Sequence, residues 1–230
     1  MDVSYSYQDS LHLLNNSEWN KLSISNRASV MQSIENEVAR REGRSPCNVS
    51  LYSEAPDKNG RISCGGYNLK TSDIEMNTYH LSEKTSEGCL NTIMHEGRHA
   101  YQDNVVKGNI DHHPQSDVKA WQHNMKPGNY ISPEQNIKGY YRQPIEADAR
   151  EYAAITTRQI QAEQKIQNYS SNKGINSFMA KSNNSNNIGT ESTANKGIQS
   201  FRDKVSVPDN GSGSSSSQDT GQSNASGQGM

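Results

Sequence analysis

The run His95-Glu96-Gly97-Arg98-His99 puts two imidazoles and a carboxylate within one short stretch of chain. On a helix, histidines four residues apart project from one face about one turn apart, as two ligands of a single metal ion would. Glu96 lies about 100° round the helix from His95, where it can reach a metal-bound water without being a ligand itself. Zinc in such a place lowers the pKa of that water toward ~7 and polarises a carbonyl, while the glutamate takes the proton. The plain alternative is a chance pair of histidines on a solvated helix.

Two histidines and a water leave tetrahedral zinc one protein ligand short. Glu146 is the best candidate, in the first turn of a helix that opens at Pro144. It shares a face with Ala149, Arg150 and Ala153, and the alanines would let this helix pack closely on the His95/His99 helix. Read without chemistry, Glu146 is a first-turn acid favoured by the helix dipole and paired with Arg150 at i+4. His112 and His113 are the rival third ligands, although a solvated loop pair is the simpler reading. Asp148 is either a group that orients a ligand or one half of a salt bridge. Tyr140 and Tyr141 stand just upstream of Glu146, and Tyr141 is carried forward as the phenol that could meet a developing oxyanion. Packed aromatics are the competing role.

These residues need a frame. Val30, Ile34 and Val38, with Met31 beside them, mark an amphipathic helix that Ser23 or Ser25 can cap and that Gly43 can end. Residues 48–52 alternate like a half-buried strand; residues 61–64 running into Gly65-Gly66-Tyr67, and then residues 74–81, follow as further strands. A helix from about Thr85 carries the histidines, with Leu90, Ile93, Gly97, Ala100 and Tyr101 opposite them. Thr92 joins the histidine face. Gly97 costs ~1 kcal/mol against alanine in a helix interior, which implies close approach by a neighbouring helix. Residues 107–143 are polar and punctuated by glycine and proline, with a short helix expected around residues 117–125. The fold class is therefore α+β: an N-terminal helix, a short antiparallel or mixed three-stranded sheet, the histidine helix and a C-terminal helix bearing Glu146.

Composition sets the limits. The chain has 230 residues, of which 30% are hydrophobic, and the deficit is concentrated toward the end. Residues 170–230 are rich in Ser, Asn, Gly and Gln and cannot bury enough apolar surface to offset the entropy of ordering, so a disordered tail is expected after one domain over residues 1–169. Within the tail, NKGINSF at 172–178 is echoed by NKGIQSF at 195–201. A net charge of -2 without a basic block favours neither nucleic acid nor an anionic membrane surface. Cys47, Cys64 and Cys89 form no CxxC pair and read as reduced, small buried residues, and Trp19 and Trp121 as core or lid aromatics. No basic-then-apolar leader and no apolar span are present, so the expectation is a chain cytoplasmic as synthesised, with export by a route independent of a signal peptide left open. Nothing in the sequence specifies an oligomeric state.

MHEGRHAYQ, followed by YYRQPIEADAREYA, resembles the zincin-like metallopeptidases of the gluzincin type, in which HExxH is completed by a glutamate from a later helix. The resemblance covers residues 48–154. It implies a Zn2+ cofactor held by His95, His99 and Glu146, Glu96 as general base, and a peptide or protein substrate. In that family a strand like residues 74–81 edges the cleft and pairs with extended substrate. The later helix there often reads ExxA or ExxxD; Glu146 to Ala149 fits the first, and Arg150 stands where the second has aspartate. A metzincin would need a histidine six residues beyond His99, where this chain has Val105. The small domain also resembles the compact zincin domains found in bacterial toxins, effectors and phage-associated proteins. Two other functions compete: an inactive scaffold that binds a partner through its polar tail, and a zinc hydrolase of a non-peptide amide or ester.

Overall fold

Three helices open the chain, α1 (Tyr7–Leu13), α2 (Asn16–Trp19) and α3 (Ile24–Glu42). In α3 the Ser23 hydroxyl accepts from the Asn26 amide, and Gly43 ends the helix in the left-handed region at φ 72°, as the sequence pattern requires. Val30, Met31, Ile34 and Val38 are buried from this helix in the main core, together with Trp19. The structure is a computed structural model that describes the backbone of residues 3–182 and side chains through residue 171.

The sheet is mixed. Strand β1 (Val49–Tyr52) runs parallel to β3 (Asp73–Asn77), and β2 (Gly65–Asn68) runs antiparallel to β3, giving the order β1-β3-β2. Ile74 and Met76 of β3 point into the core and are fully buried. The expected strand over residues 74–81 is thus only half right: it stops at Asn77, and Thr78–Glu83 form helix α4. Asn77 is the cause. Its side-chain oxygen accepts from the Tyr79 amide at 3.0 Å, capping α4, while its Nδ2 donates to the carbonyls of Glu54 and Ser63 at 2.8 Å. Nor can this strand edge a cleft, because β3 is the central strand with a neighbour on each side. Residues 61–64, expected to be extended, take no regular structure before β2 starts at Gly65, and the turn precedes them at residues 57–60, where the Asp57 carboxylate accepts from the amides of Asn59 and Arg61.

Helix α5 (Ser86–Val106) follows, with the Thr85 hydroxyl as its cap. Cys89, Leu90, Ile93, Met94 and Ala100 pack into the core from one face. Two more helices, α6 (Gln115–Asn124) and α7 (Pro133–Arg142), occupy the polar region expected to be mainly loop. The signal for α7 was present: Ser132 and Gln135 form a reciprocal capping box around Pro133 at the first turn. Trp121 of α6 heads a second, smaller core with Val105, Val118 and Ile145.

Helix α8 starts at Pro144 and extends to Ser182, past the boundary at residue 169 suggested by composition. Once nucleated, a helix adds residues at the cost of one residue's conformational freedom each, so polar sequence can extend it. The remaining tail, including NKGIQSF at 195–201, lies outside the described residues. Among the described residues there are eight helices and three strands, an α+β architecture, and no helix is long and apolar enough to cross a membrane.

Candidate metal centre

Helix α5 packs more extensively on α8 than on any other element. Ala149 and Ala153, the small residues of α8 expected to allow close packing, are both buried. This close approach brings the first turn of α8 over the histidine face of α5. His95 Nε2 lies 3.2 Å from His99 Nε2, and the Glu146 carboxylate straddles the pair, Oε2 at 3.3 Å from His95 Nε2 and Oε1 at 3.4 Å from His99 Nε2. Among the described residues, this is the only group of three or more potential metal-ligating side chains brought within reach of one ion.

Two observations test whether these residues fit a metal. A tetrahedral ion with nitrogen and oxygen ligands at about 2.0–2.1 Å asks for donors about 3.3–3.4 Å apart; the two imidazole nitrogens are 3.2 Å apart, and each has one carboxylate oxygen in that range, Oε2 at 3.3 Å from His95 and Oε1 at 3.4 Å from His99. The second is an unmet need. Glu146 is 1% exposed, and its Oε2 is buried without a hydrogen-bond partner, although stranding a buried acceptor costs about 1–3 kcal/mol. A cation at the centre of the triad would meet it.

The electrostatics agree. Burial works to raise the Glu146 carboxyl, but the His95 and His99 rings beside it outweigh burial and hold the group far below the usual carboxylate range. Burial works in the opposite sense on His99, yet Glu146 and Glu96 lift its imidazole to about 9. Glu96 is itself nearly buried, and its charge is felt at His99, Tyr130 and Tyr140. Gly65 of β2 lies against it: a Cβ there would stand 3.7 Å from Glu96 Cγ and 2.8 Å from the Glu75 carbonyl oxygen.

The phenols divide differently from expectation. Tyr130 donates to Glu146 Oε1 at 2.8 Å. Tyr140 stands beside it, the two rings edge-to-face at 6.4 Å, close enough to feel the Glu146 charge. Burial, followed by the Glu146 charge, pushes both phenols up, so both keep their protons at neutral pH. Tyr141 faces outward, 53% exposed, with its ring 4.7 Å from the Arg150 guanidinium and its carbonyl accepting from Arg150. It is not among the groups that meet Glu146. The sequence offers no local signal for Tyr130; Gln143 delivers it, its side-chain amide bonding both the N–H and the C=O of Ile131 at 2.8 Å.

The remaining candidates fall into place around this centre. His112 stacks on Trp121 and meets the Tyr101 hydroxyl at 3.2 Å, while His113 is exposed; neither belongs to the triad. Asp148 forms the salt bridge, two bonds to Arg98 at 2.8 and 3.1 Å, and also accepts from Gln102 at 2.7 Å. Gln102, which sequence reasoning overlooked, reaches His99 Nδ1 at 2.8 Å. Its spacing of three residues from His99 was the available clue. Thr92, expected on the histidine face, bonds the buried His80 ring at 2.9 Å. Burial lowers His80, which keeps it neutral. Gly97 does admit a close neighbour from α3, but the neighbour is a charge pair. A Cβ would lie 3.1 Å from both Arg44 Nη2 and Glu35 Oε2, the members of a fully buried ion pair.

Compared with protein-family models, with curated proteins and with solved structures, the chain matches none of them.

Proposed function

We propose that the chain is a zinc-dependent metallopeptidase of the gluzincin kind, with His95, His99 and Glu146 as ligands. The observation that carries this reading is the convergence of two imidazole nitrogens, 3.2 Å apart, on one buried carboxylate, His95 Nε2 lying 3.3 Å from its Oε2 and His99 Nε2 3.4 Å from its Oε1. Zinc in that position would activate a water and polarise the scissile carbonyl of a peptide. Glu96, next to His95 on α5, accepts the proton and returns it to the leaving amine. Tyr130 and Tyr140 hold protonated phenols beside the triad and serve as hydrogen-bond donors to charge that develops on the substrate oxygen. In this reading Tyr141 has no catalytic part.

Metal content and turnover, measured on the same preparations, test the assignment. Purified wild-type chain should bind one zinc ion; His95→Ala and Glu146→Ala should lose it. Glu96→Gln should keep the metal and lose about 10²–10⁴-fold in hydrolysis of a peptide library. Zinc binding indifferent to both ligand substitutions would sink the proposal. Full turnover by Glu96→Gln would remove the general base.

A further inference from the structure

Gln102 lies on α5 one turn beyond His99 and is fully buried, yet every polar atom of its amide is engaged. Its Oε1 lies 2.8 Å from His99 Nδ1. Its Nε2 lies 2.9 Å from the Ile145 carbonyl and 2.7 Å from Asp148 Oδ2. A side-chain amide can be turned over with little change of shape, which exchanges its donors for its acceptor. Here the partners forbid that exchange. A backbone carbonyl and an ionised carboxylate only accept, so the nitrogen must face them and the oxygen must face the histidine. A ring nitrogen opposite an acceptor must carry hydrogen. His99 is therefore held with Nδ1–H toward Gln102 and Nε2 toward His95 and Glu146.

The acceptors are as well fixed as the amide. Asp148 is gripped by two bonds from Arg98, and the Arg98 guanidinium lies 4.3 Å from the Tyr101 ring, 4.7 Å from Tyr152 and 5.5 Å from Trp121. Ile145 and Asp148 flank Glu146 on the first turn of α8. One amide thus bonds a histidine of α5 and both sides of the carboxylate-bearing turn.

We infer that Gln102 is a positioning residue that sets the ligand nitrogen of His99 and the spacing between the ligand-bearing faces of α5 and α8. The inference rests on the metal-site reading above. It differs from a packing role in what it changes: the geometry and affinity of the bound ion, over and above the stability of the chain.

The experiment uses the full chain with Co2+ and Zn2+ as probes, in wild type, Gln102→Met and Gln102→Glu. Dissociation constants come from chelator competition, ion geometry from the visible absorption of bound cobalt, and stability from unfolding of the metal-free forms. Gln102→Met keeps the shape and removes all three bonds; it should weaken both ions about 10–100-fold and alter the cobalt bands. Gln102→Glu keeps an acceptor for His99 but sets a carboxylate against the Ile145 carbonyl and Asp148, and should also lose affinity and alter the bands. If Gln102→Met does not fold, Gln102→Glu decides alone. Variants that unfold more easily without metal, yet bind cobalt within about threefold of wild type with unchanged bands, would overturn the inference. A wild-type chain that takes up neither ion overturns the metal reading itself, an outcome visible before any variant is made.

Discussion

His99 receives opposing instructions. Buried imidazoles lose their proton easily, but the Glu146 carboxylate beside this one holds the proton on, and the balance lies at about 9. A metal ion must displace that proton from Nε2. Apparent zinc affinity should therefore rise by about tenfold per pH unit between pH 7 and 9 and then flatten, with proton release measurable by calorimetry in buffers of different ionisation enthalpy. The metal-free chain should show the reverse trend. A histidine raised above its unfolded value near 6.5 stabilises fully below that pH, and the benefit is lost as pH climbs through 9. Glu146, depressed, acts from the other side: its contribution is present above its unfolded value near 4.3 and fades as pH falls. The unfolding midpoint without metal should thus be lower at pH 9 than at pH 6, and a midpoint unchanged between the two would contradict this account. His95, Glu96 and His99 were legible because four-residue spacing is a local geometric statement. Gln102 was equally local, but an amide carries no chemical flag. Tyr130 was illegible for a different reason: only the long-range clamp of Gln143 on Ile131 brings it to the carboxylate.

For the elements, the apolar period and the caps were the dependable signals. Ser23, Gly43 and Thr85 stand where helices begin and end, and Pro144 opens α8. The expected strand over residues 74–81 failed at Asn77 because alternation continues in the letters while the side chain has already turned to cap a helix. The pairing of β1 with β3 in parallel could not be read from the chain, since strand direction depends on where an intervening connection travels. Gly97 gives a test of how elements fit. Alanine would gain ~1 kcal/mol of helix propensity there. Against this, its methyl would press on the Glu35–Arg44 pair, which has no slack: Glu35 also accepts from the Cys47 amide, and Arg44 also bonds Glu42. Overpacking costs about 1–3 kcal/mol, so Gly97→Ala should be net destabilising, seen as a lower urea midpoint at unchanged slope. A gain in stability would mean the ion pair yields more readily than its bonds imply.

Across the whole molecule, the N-terminal region is tied to the later course of α8. Tyr7 donates to Glu163 at 2.7 Å, Arg41 grips the same carboxylate, and Gln167 and Asn168 bond the backbone of Gln8 and the side chain of Asn15. Residues 1–183 form one compact unit. A chain ended after Asn183 should therefore keep its zinc affinity and its turnover within about twofold, as remote sites usually act independently. Loss of activity on that truncation would favour a function carried by the tail. The convergence of residues 95–99 with residue 146 was inferred from the sequence through the small residues of the later helix, Ala149 and Ala153, and both are buried where α8 packs extensively on α5.

An ion shared by α5 and α8 would also be a staple. It would close the loop that runs from His99 through α6 and α7 to Glu146, and clips that close long loops restrict the unfolded chain most. At a hundredfold excess over its dissociation constant, zinc would add about 2.7 kcal/mol to stability. Chelation would then do more than silence chemistry. It would slacken residues 107–143, and limited proteolysis with and without a chelator should find new cuts in that stretch before any appear in α3.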